Sequence, residues 1–167
     1  ALVSTKRSLI FNELNKSLYQ KFFMTVEELQ ACRDGYLYIH DMSARRDTMN
    51  CCLFYVKNVL SGGFEMGNLW YNEPKTLDTA FDVIGDIVLS AASQQYGGFT
   101  VPSADEILAP YAEKSHKRLI QKYRDLGLSE EAVQKVAWAD LEREMEQGFQ
   151  GWEYKFNSVS SSRGDYP

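Results

Sequence analysis

Thr48-Met-Asn-Cys-Cys-Leu-Phe-Tyr-Val56 holds two of the chain's three cysteines, side by side, at the entry to its best candidate for a buried β-strand. Alternation over residues 50–56 sets Cys51, Leu53 and Tyr55 on one face and Cys52, Phe54 and Val56 on the other. Both faces are largely apolar, the pattern of a strand covered on both sides in an α/β sheet or barrel. A thiol on such a strand can face a reaction centre. Alternation alone divides the two cysteines between faces and does not rank them.

Outward from this strand the chain is mostly helical in pattern. Leu9, Ile10, Leu14 and Leu18 recur at helical spacing and predict an amphipathic helix over 5–18. Thr25-Val-Glu-Glu28 is a capping box, with Met24 and Leu29 placed as its hydrophobic staple. The helix it opens runs over 26–33 and stops at Gly35. Tyr36-Leu-Tyr-Ile-His40 is aromatic and β-branched, which favours extended chain. Residues 41–48 form a polar loop containing Arg45-Arg46-Asp47. Beyond the cysteines, Gly62-Gly63 ends a short helical turn.

Residues 75–96 form the clearest helix. Leu77, Ala80, Phe81, Ile84, Val88 and Ala91 make its apolar stripe, and Asp78, Asp82 and Asp86 an acidic one. Three like charges at this spacing read as a solvated face in preference to a metal site. Ser103-Ala-Asp-Glu106 is a second capping box, opening a helix over 104–126 that Gly127 closes. Ser129 caps a third long helix reaching Phe149 and extending toward Phe156, after which residues 157–162 leave as a polar strand or loop. Five or six helices and two or three short strands give the α/β class, and long helices between separated strands fit one side of an α/β barrel.

With 167 residues, 44% hydrophobic and 13% aromatic, the chain can bury one real core. Its net charge of -5 excludes the basic footprint of nucleic-acid binding. Three cysteines, an odd number, argue against a disulfide framework and for a reducing, cytoplasmic setting. Adjacent Cys51 and Cys52 are also poorly spaced to bond each other. No signal peptide or membrane span is visible, since the apolar run 80–92 is interrupted by Asp82 and Asp86. The start inside a helical pattern and the stop at Arg163-Gly-Asp-Tyr-Pro167 read as one partial domain, residues 1–167, of a longer protein.

Taken singly, no motif is decisive. P-loop, dinucleotide-binding, Cys-x-x-Cys and His-Glu-x-x-His patterns are all missing. His40 and His116 lie far apart, and His116 sits in a charged helix that predicts a surface position. His40, Asp41, Cys51 and Cys52 are all possible ligands, but their spacing matches no common metal site, so none is expected. Cys32 and Cys52 read as small buried hydrophobes.

Several short motifs together carry more. Gly35-Tyr-Leu-Tyr-Ile-His-Asp41, Asn50-Cys-Cys-Leu53, Pro74-Lys-Thr76, Ala92-Ser-Gln-Gln-Tyr-Gly-Gly98 and Ser160-Ser-Ser-Arg-Gly-Asp-Tyr-Pro167 occur in this order along the chain. Order and spacing resemble the anaerobic (class III) ribonucleoside-triphosphate reductases, the glycyl-radical members of the ribonucleotide reductases. The resemblance implies a ten-stranded α/β barrel of two parallel halves, with this segment supplying the first strands. It implies conversion of ribonucleoside triphosphates to deoxyribonucleoside triphosphates by thiyl and glycyl radical chemistry, with formate as reductant. Cys51 matches the family's cysteine that faces the substrate from the first barrel strand, which leaves Cys52 for packing.

The same resemblance offers Asn50, His40, Gln95, Tyr96, Gly97 and Gly98 as substrate-binding residues. His40 reads equally well as a structural histidine, and Gln95 to Gly98 as an ordinary helix stop. Lys75 is offered as a contact for a nucleotide effector at an allosteric site across a homodimer interface, against the plainer reading of a solvated lysine. The helices over 76–96 and 104–149 would contribute to that dimer. Deoxynucleotide and ATP effectors and a radical-SAM iron–sulfur activating enzyme are the implied partners. The glycyl radical, the thiyl cysteine and a zinc site are expected outside residues 1–167, and no ATP-cone is recognisable. The isolated segment is therefore expected to be inactive. Competing readings are another glycyl-radical enzyme, a non-catalytic helical interaction module with inert cysteines, and a small metal-binding domain.

Overall fold

The computed structural model describes residues 2–45 and 49–159. The motif at residues 160–167, the end of the polar exit loop and residues 46–48 lie outside the described residues. In chain order come α1 (Val3–Phe23), α2 (Val26–Arg33), a 3-10 turn (Met42–Ala44), β1 (Cys52–Leu53), α3 (Lys57–Leu60), β2 (Phe64–Met66), β3 (Leu69–Tyr71), α4 (Leu77–Ala92), β4 (Phe99–Thr100), α5 (Ala104–Asp125) and α6 (Glu130–Ser158). Four short strands, against the two or three expected, form two two-stranded sheets, and the described residues close no barrel. No helix among them is long and apolar enough to cross a membrane.

The core is organised around α4, which packs on α5, α6 and β4. The expected stripe is too narrow: Val83 and Ile87 are buried along with Leu77, Ala80, Phe81, Ile84 and Val88. Covered on several sides, α4 keeps only its acidic edge toward solvent. There Lys155 reaches from α6 to Asp82 and Asp86, 3.5 Å from each. The methylenes of Lys155 lie over Gly85, where a Cβ would meet Cδ at 2.9 Å.

The first turn of α4 has free N–H groups that its own N-cap, Thr76, does not satisfy. Two other helices supply the acceptors. The Leu77 N–H donates to Ser115 Oγ of α5 at 2.9 Å, and the Asp78 N–H to Glu144 Oε1 of α6 at 3.2 Å. Ser115 in turn donates to Glu144 Oε1 at 2.9 Å. Ser115 is fully buried, so Ser115→Ala leaves the Leu77 N–H without a partner at a cost of about 1–3 kcal/mol. We expect urea denaturation to show that loss, with faster amide exchange at Leu77. Unchanged exchange at Leu77 in the variant would contradict this cap.

Local signals set other boundaries well. Thr25 and Glu28 form the expected reciprocal capping box, and Ser129 accepts from the Ala132 N–H. Gly35 and Gly127 adopt left-handed backbone at the ends of α2 and α5. The second capping box does not form: Ser103 is itself left-handed (φ 51°) and its side chain caps nothing. Helix α4 begins at Leu77, two residues after Lys75, and ends at Ala92.

The cysteine strand is shorter than its pattern predicts. Only Cys52 and Leu53 are regular strand, paired parallel with Phe99 and Thr100. A bridge between Met49 and Gln95 extends the same ladder backward. The strand stops because α3 begins: the Val56 carbonyl accepts from the Val59 and Leu60 N–H groups. Tyr36 to His40 pairs with no strand. The Tyr36 and Leu37 N–H groups both donate to the Ala31 carbonyl, so this segment wraps the end of α2. Residues 64–71 fold as an antiparallel hairpin across Gly67-Asn68.

Candidate functional site

Alternation along the cysteine strand survives in the burial of its residues. Val56 lies in the core, Phe54 packs against it 5.5 Å from the Phe99 ring, and Cys52 is half-buried. Cys51, Leu53 and Tyr55 form the open face. Cys51 is exposed and Cys52 half-buried.

The segment following α4 runs beside Asn50 and Cys51 and is bonded to Met49, Asn50 and Cys52. The Tyr96 N–H donates to the Met49 carbonyl at 2.8 Å, and the Gly97 N–H to the Asn50 carbonyl at 2.7 Å. The Cys52 N–H returns a bond to the Gly98 carbonyl at 3.0 Å. Gly97 therefore presses its α-carbon against the two residues of interest. A Cβ there would lie 2.4 Å from Asn50 Oδ1 and 2.7 Å from Cys51 Sγ. The Cys51 S–H points at Asn50 Oδ1, 3.8 Å away.

Asn50 also faces a cavity of about 310 Å³ shared with His40, Asp41, Ala44 and Arg45. His40 is held on both ring nitrogens. Nδ1 lies 2.9 Å from Asp41 Oδ2, and Nε2 lies 3.3 Å from Arg45 Nη2. A guanidinium can only donate, so Nε2 accepts and the ring in this arrangement is neutral with its proton on Nδ1, directed at Asp41. Arg45 Nε also donates to the His40 carbonyl at 3.3 Å. Asp41 adopts left-handed backbone (φ 52°), a conformation uncommon outside glycine and tolerated best by Asp and Asn. This is a small polar pocket with one guanidinium, one imidazole and one carboxylate beside an exposed thiol.

The structure thus brings together His40, Asn50, Cys51 and Gly97. Of the other candidates, Gln95 reaches this group only through Gly97, and Tyr96, Gly98 and Lys75 lie elsewhere. Gln95 is buried, 3% exposed, and its Nε2 donates to the Gly97 carbonyl at 3.0 Å. Tyr96 lines a different cavity, of about 510 Å³, between α1, α2 and residues 37–43. Gly98 is exposed, with nothing within 4 Å of where a Cβ would stand. Lys75 is exposed beside the Glu73–Lys114 ion pair, which measures 2.7 Å. The Lys114 ammonium holds the Glu73 carboxyl below its ordinary range.

Arg45 was read only as part of a loop, and no periodic signal marks a loop residue as a pocket wall. His116 is not the surface residue its charged helix predicts. Its ring stacks edge-on with Trp138 at 5.6 Å, and its Nε2 is buried without a hydrogen-bond partner. The charged neighbours in sequence point elsewhere on α5.

The family model for anaerobic ribonucleoside-triphosphate reductase matches residues 1–167. The chain is 30% identical to an anaerobic ribonucleoside-triphosphate reductase of Salmonella typhimurium, covering 99% of this chain and 23% of that protein. Identity is 29% to the reductase of Haemophilus influenzae, over 99% of this chain and 24% of the relative. It is 28% to that of Enterobacteria phage T4, over 95% and 26%. The chain therefore spans about a quarter of the length of the curated relatives it matches. Because the match runs unbroken through the cysteine strand, the 95–98 segment and all six helices, the chain belongs to the anaerobic ribonucleoside-triphosphate reductase family.

Proposed function

We propose that this chain is the part of an anaerobic ribonucleoside-triphosphate reductase that presents the Cys51 thiol to the ribose of the substrate. One observation carries the reading: Cys51 is the exposed member of the cysteine pair and sits against Gly97 beside the pocket of Asn50, His40 and Arg45. In this reading the rest of the polypeptide completes an α/β barrel over the open face of β1.

Radical chemistry, started at a glycine outside residues 1–167, would supply hydrogen abstraction from the ribose. The residues present here bind and donate. Cys51 offers a weak S–H bond, a better hydrogen-atom source for a carbon radical than a hydroxyl. Asn50, already turned toward both Cys51 and the pocket, hydrogen-bonds a ribose hydroxyl through its amide. Gly97 and Gly98 allow close approach of the nucleotide to the backbone. Among the described residues Arg45 gives Nε and one Nη2 donor to His40, and guanidinium geometry suits a small carboxylate such as formate. His40, neutral and backed by Asp41, is placed to pass a proton. With formate as the reductant, Cys51 need not form a disulfide.

Among the described residues no three His, Cys, Asp or Glu side chains are grouped to hold a metal ion. Lys75 is exposed ahead of α4 and available to an effector phosphate. The helical layer of α4, α5 and α6 would face a second subunit. Deoxynucleotide and ATP effectors, a radical-SAM activase and a cytoplasmic setting complete the proposal.

Substrate protection tests it. In the full-length protein, a ribonucleoside triphosphate at ten times its Kd should slow alkylation of Cys51 by about tenfold, the fraction of sites left free. Cys32, half-buried near α1, should react at its unprotected rate. Equal rates at Cys51 with and without substrate would refute the assignment.

A further inference from the structure

Gln95 and Gly97 belong to the same motif, but their environments differ from what a substrate contact needs. Gln95 is almost completely buried, and its amide N–H is spent on the Gly97 carbonyl. Gly97 also carries its N–H bond to the Asn50 carbonyl and the close contact with Cys51. Gly97 is not left-handed, so its backbone would accept alanine and only its neighbours forbid one. Ideal Cβ contacts of 2.4–2.8 Å to Asn50 Oδ1, Cys51 Sγ and the Asn50 carbonyl mean that something must shift. Two of those atoms carry the chemistry proposed above.

We infer that Gln95 and Gly97 are positioning residues for the Cys51 thiol. Gln95 holds the Gly97 peptide from behind. Gly97, lacking a side chain, lets Asn50 and Cys51 seat directly on that peptide. Together they fix where the thiol stands relative to the Asn50 amide, and neither reaches the substrate through its side chain. The inference rests on Cys51 being the reacting thiol.

The test reads thiol chemistry, not turnover, so it can fail while the reductase reading stands, and the reverse. Site-resolved mass spectrometry of the full-length protein follows alkylation of Cys51 against Cys32 of α2, which is not among the atoms that crowd Gly97. Gly97→Ala should raise the Cys51-to-Cys32 rate ratio by roughly threefold or more, because the thiol loses its seat. Gln95→Met keeps length and burial, removes the amide, and should move the ratio in the same direction. Gly98→Ala, next in sequence with open space around it, should leave the ratio unchanged. A merely structural role would raise both thiols together. If Gly97→Ala does not fold, Gln95→Met decides alone. An unchanged ratio in a folded Gly97→Ala or Gln95→Met protein, or an equal effect of Gly98→Ala, overturns the inference.

Discussion

Cys51→Ser in the full-length enzyme is expected to lower ribonucleotide reduction by about a thousandfold or more, at least about 4 kcal/mol of barrier. Serine nearly preserves the shape of the side chain, its contact with Gly97 and its acceptor at Asn50 Oδ1. What it loses is the weak S–H bond. An O–H bond does not yield its hydrogen atom to a carbon radical, so the loss falls on the chemical step and not on folding. Cys52→Ser provides the contrast. Cys52 is half-buried and pairs in register with Phe99. Polar burial there should cost stability of about 1 kcal/mol and leave turnover within about threefold. Near-normal activity of Cys51→Ser would exclude it as the hydrogen donor. Equal loss in a folded Cys52→Ser protein would place the reacting thiol on the other face.

Phe81→Ala is expected to be the most damaging core substitution, at about 3–5 kcal/mol. Phe81 is 2% exposed at the centre of α4. Its ring meets Phe149 at 5.0 Å and Trp152 at 4.7 Å, both edge-on, and Trp152 Nε1 donates to its carbonyl at 2.7 Å. Gly148, on the same helix α6, also meets the ring: a Cβ there would stand 2.2 Å from Phe81 Cδ2. Two effects compete in Gly148→Ala. Alanine gains about 1 kcal/mol of helix propensity, while overpacking costs about 1–3 kcal/mol. The contact is with a rigid ring, so overpacking wins and Gly148→Ala destabilises. In the Phe81→Ala background the new methyl enters a cavity, and the same change becomes neutral or stabilising. The two substitutions are then strongly non-additive. Additive losses in thermal denaturation would show that α4 and α6 do not meet as described.

The features legible in the sequence were local ones. The box at Thr25 and Glu28, the stops at Gly35 and Gly127 and the cap at Ser129 depend on atoms three or four residues apart, and composition at those spacings settles them. Alternation likewise separated Cys51 from Cys52, since successive side chains leave opposite faces. The hairpin at 64–71 is not among the expected elements, although Gly67-Asn68 between short aromatic runs is a hairpin signal. Ser103 shows the limit of such signals: the right residues at the right spacing do not cap, since its backbone is left-handed and its side chain accepts nothing from the helix.

By itself, then, the sequence determined the class of the elements, most helix ends and the division of the two thiols between faces. Only the tertiary structure decided what those faces meet. The α4 N-terminus takes its acceptors from residues 38 and 66 positions away, and the Cys51 seat comes from a glycine beyond the whole of α4. His116 turned inward onto Trp138, and Arg45 turned onto His40, for the same reason. Local pattern specifies which way a side chain leaves its own backbone. What it then touches depends on chain segments whose separation in space no local spacing records.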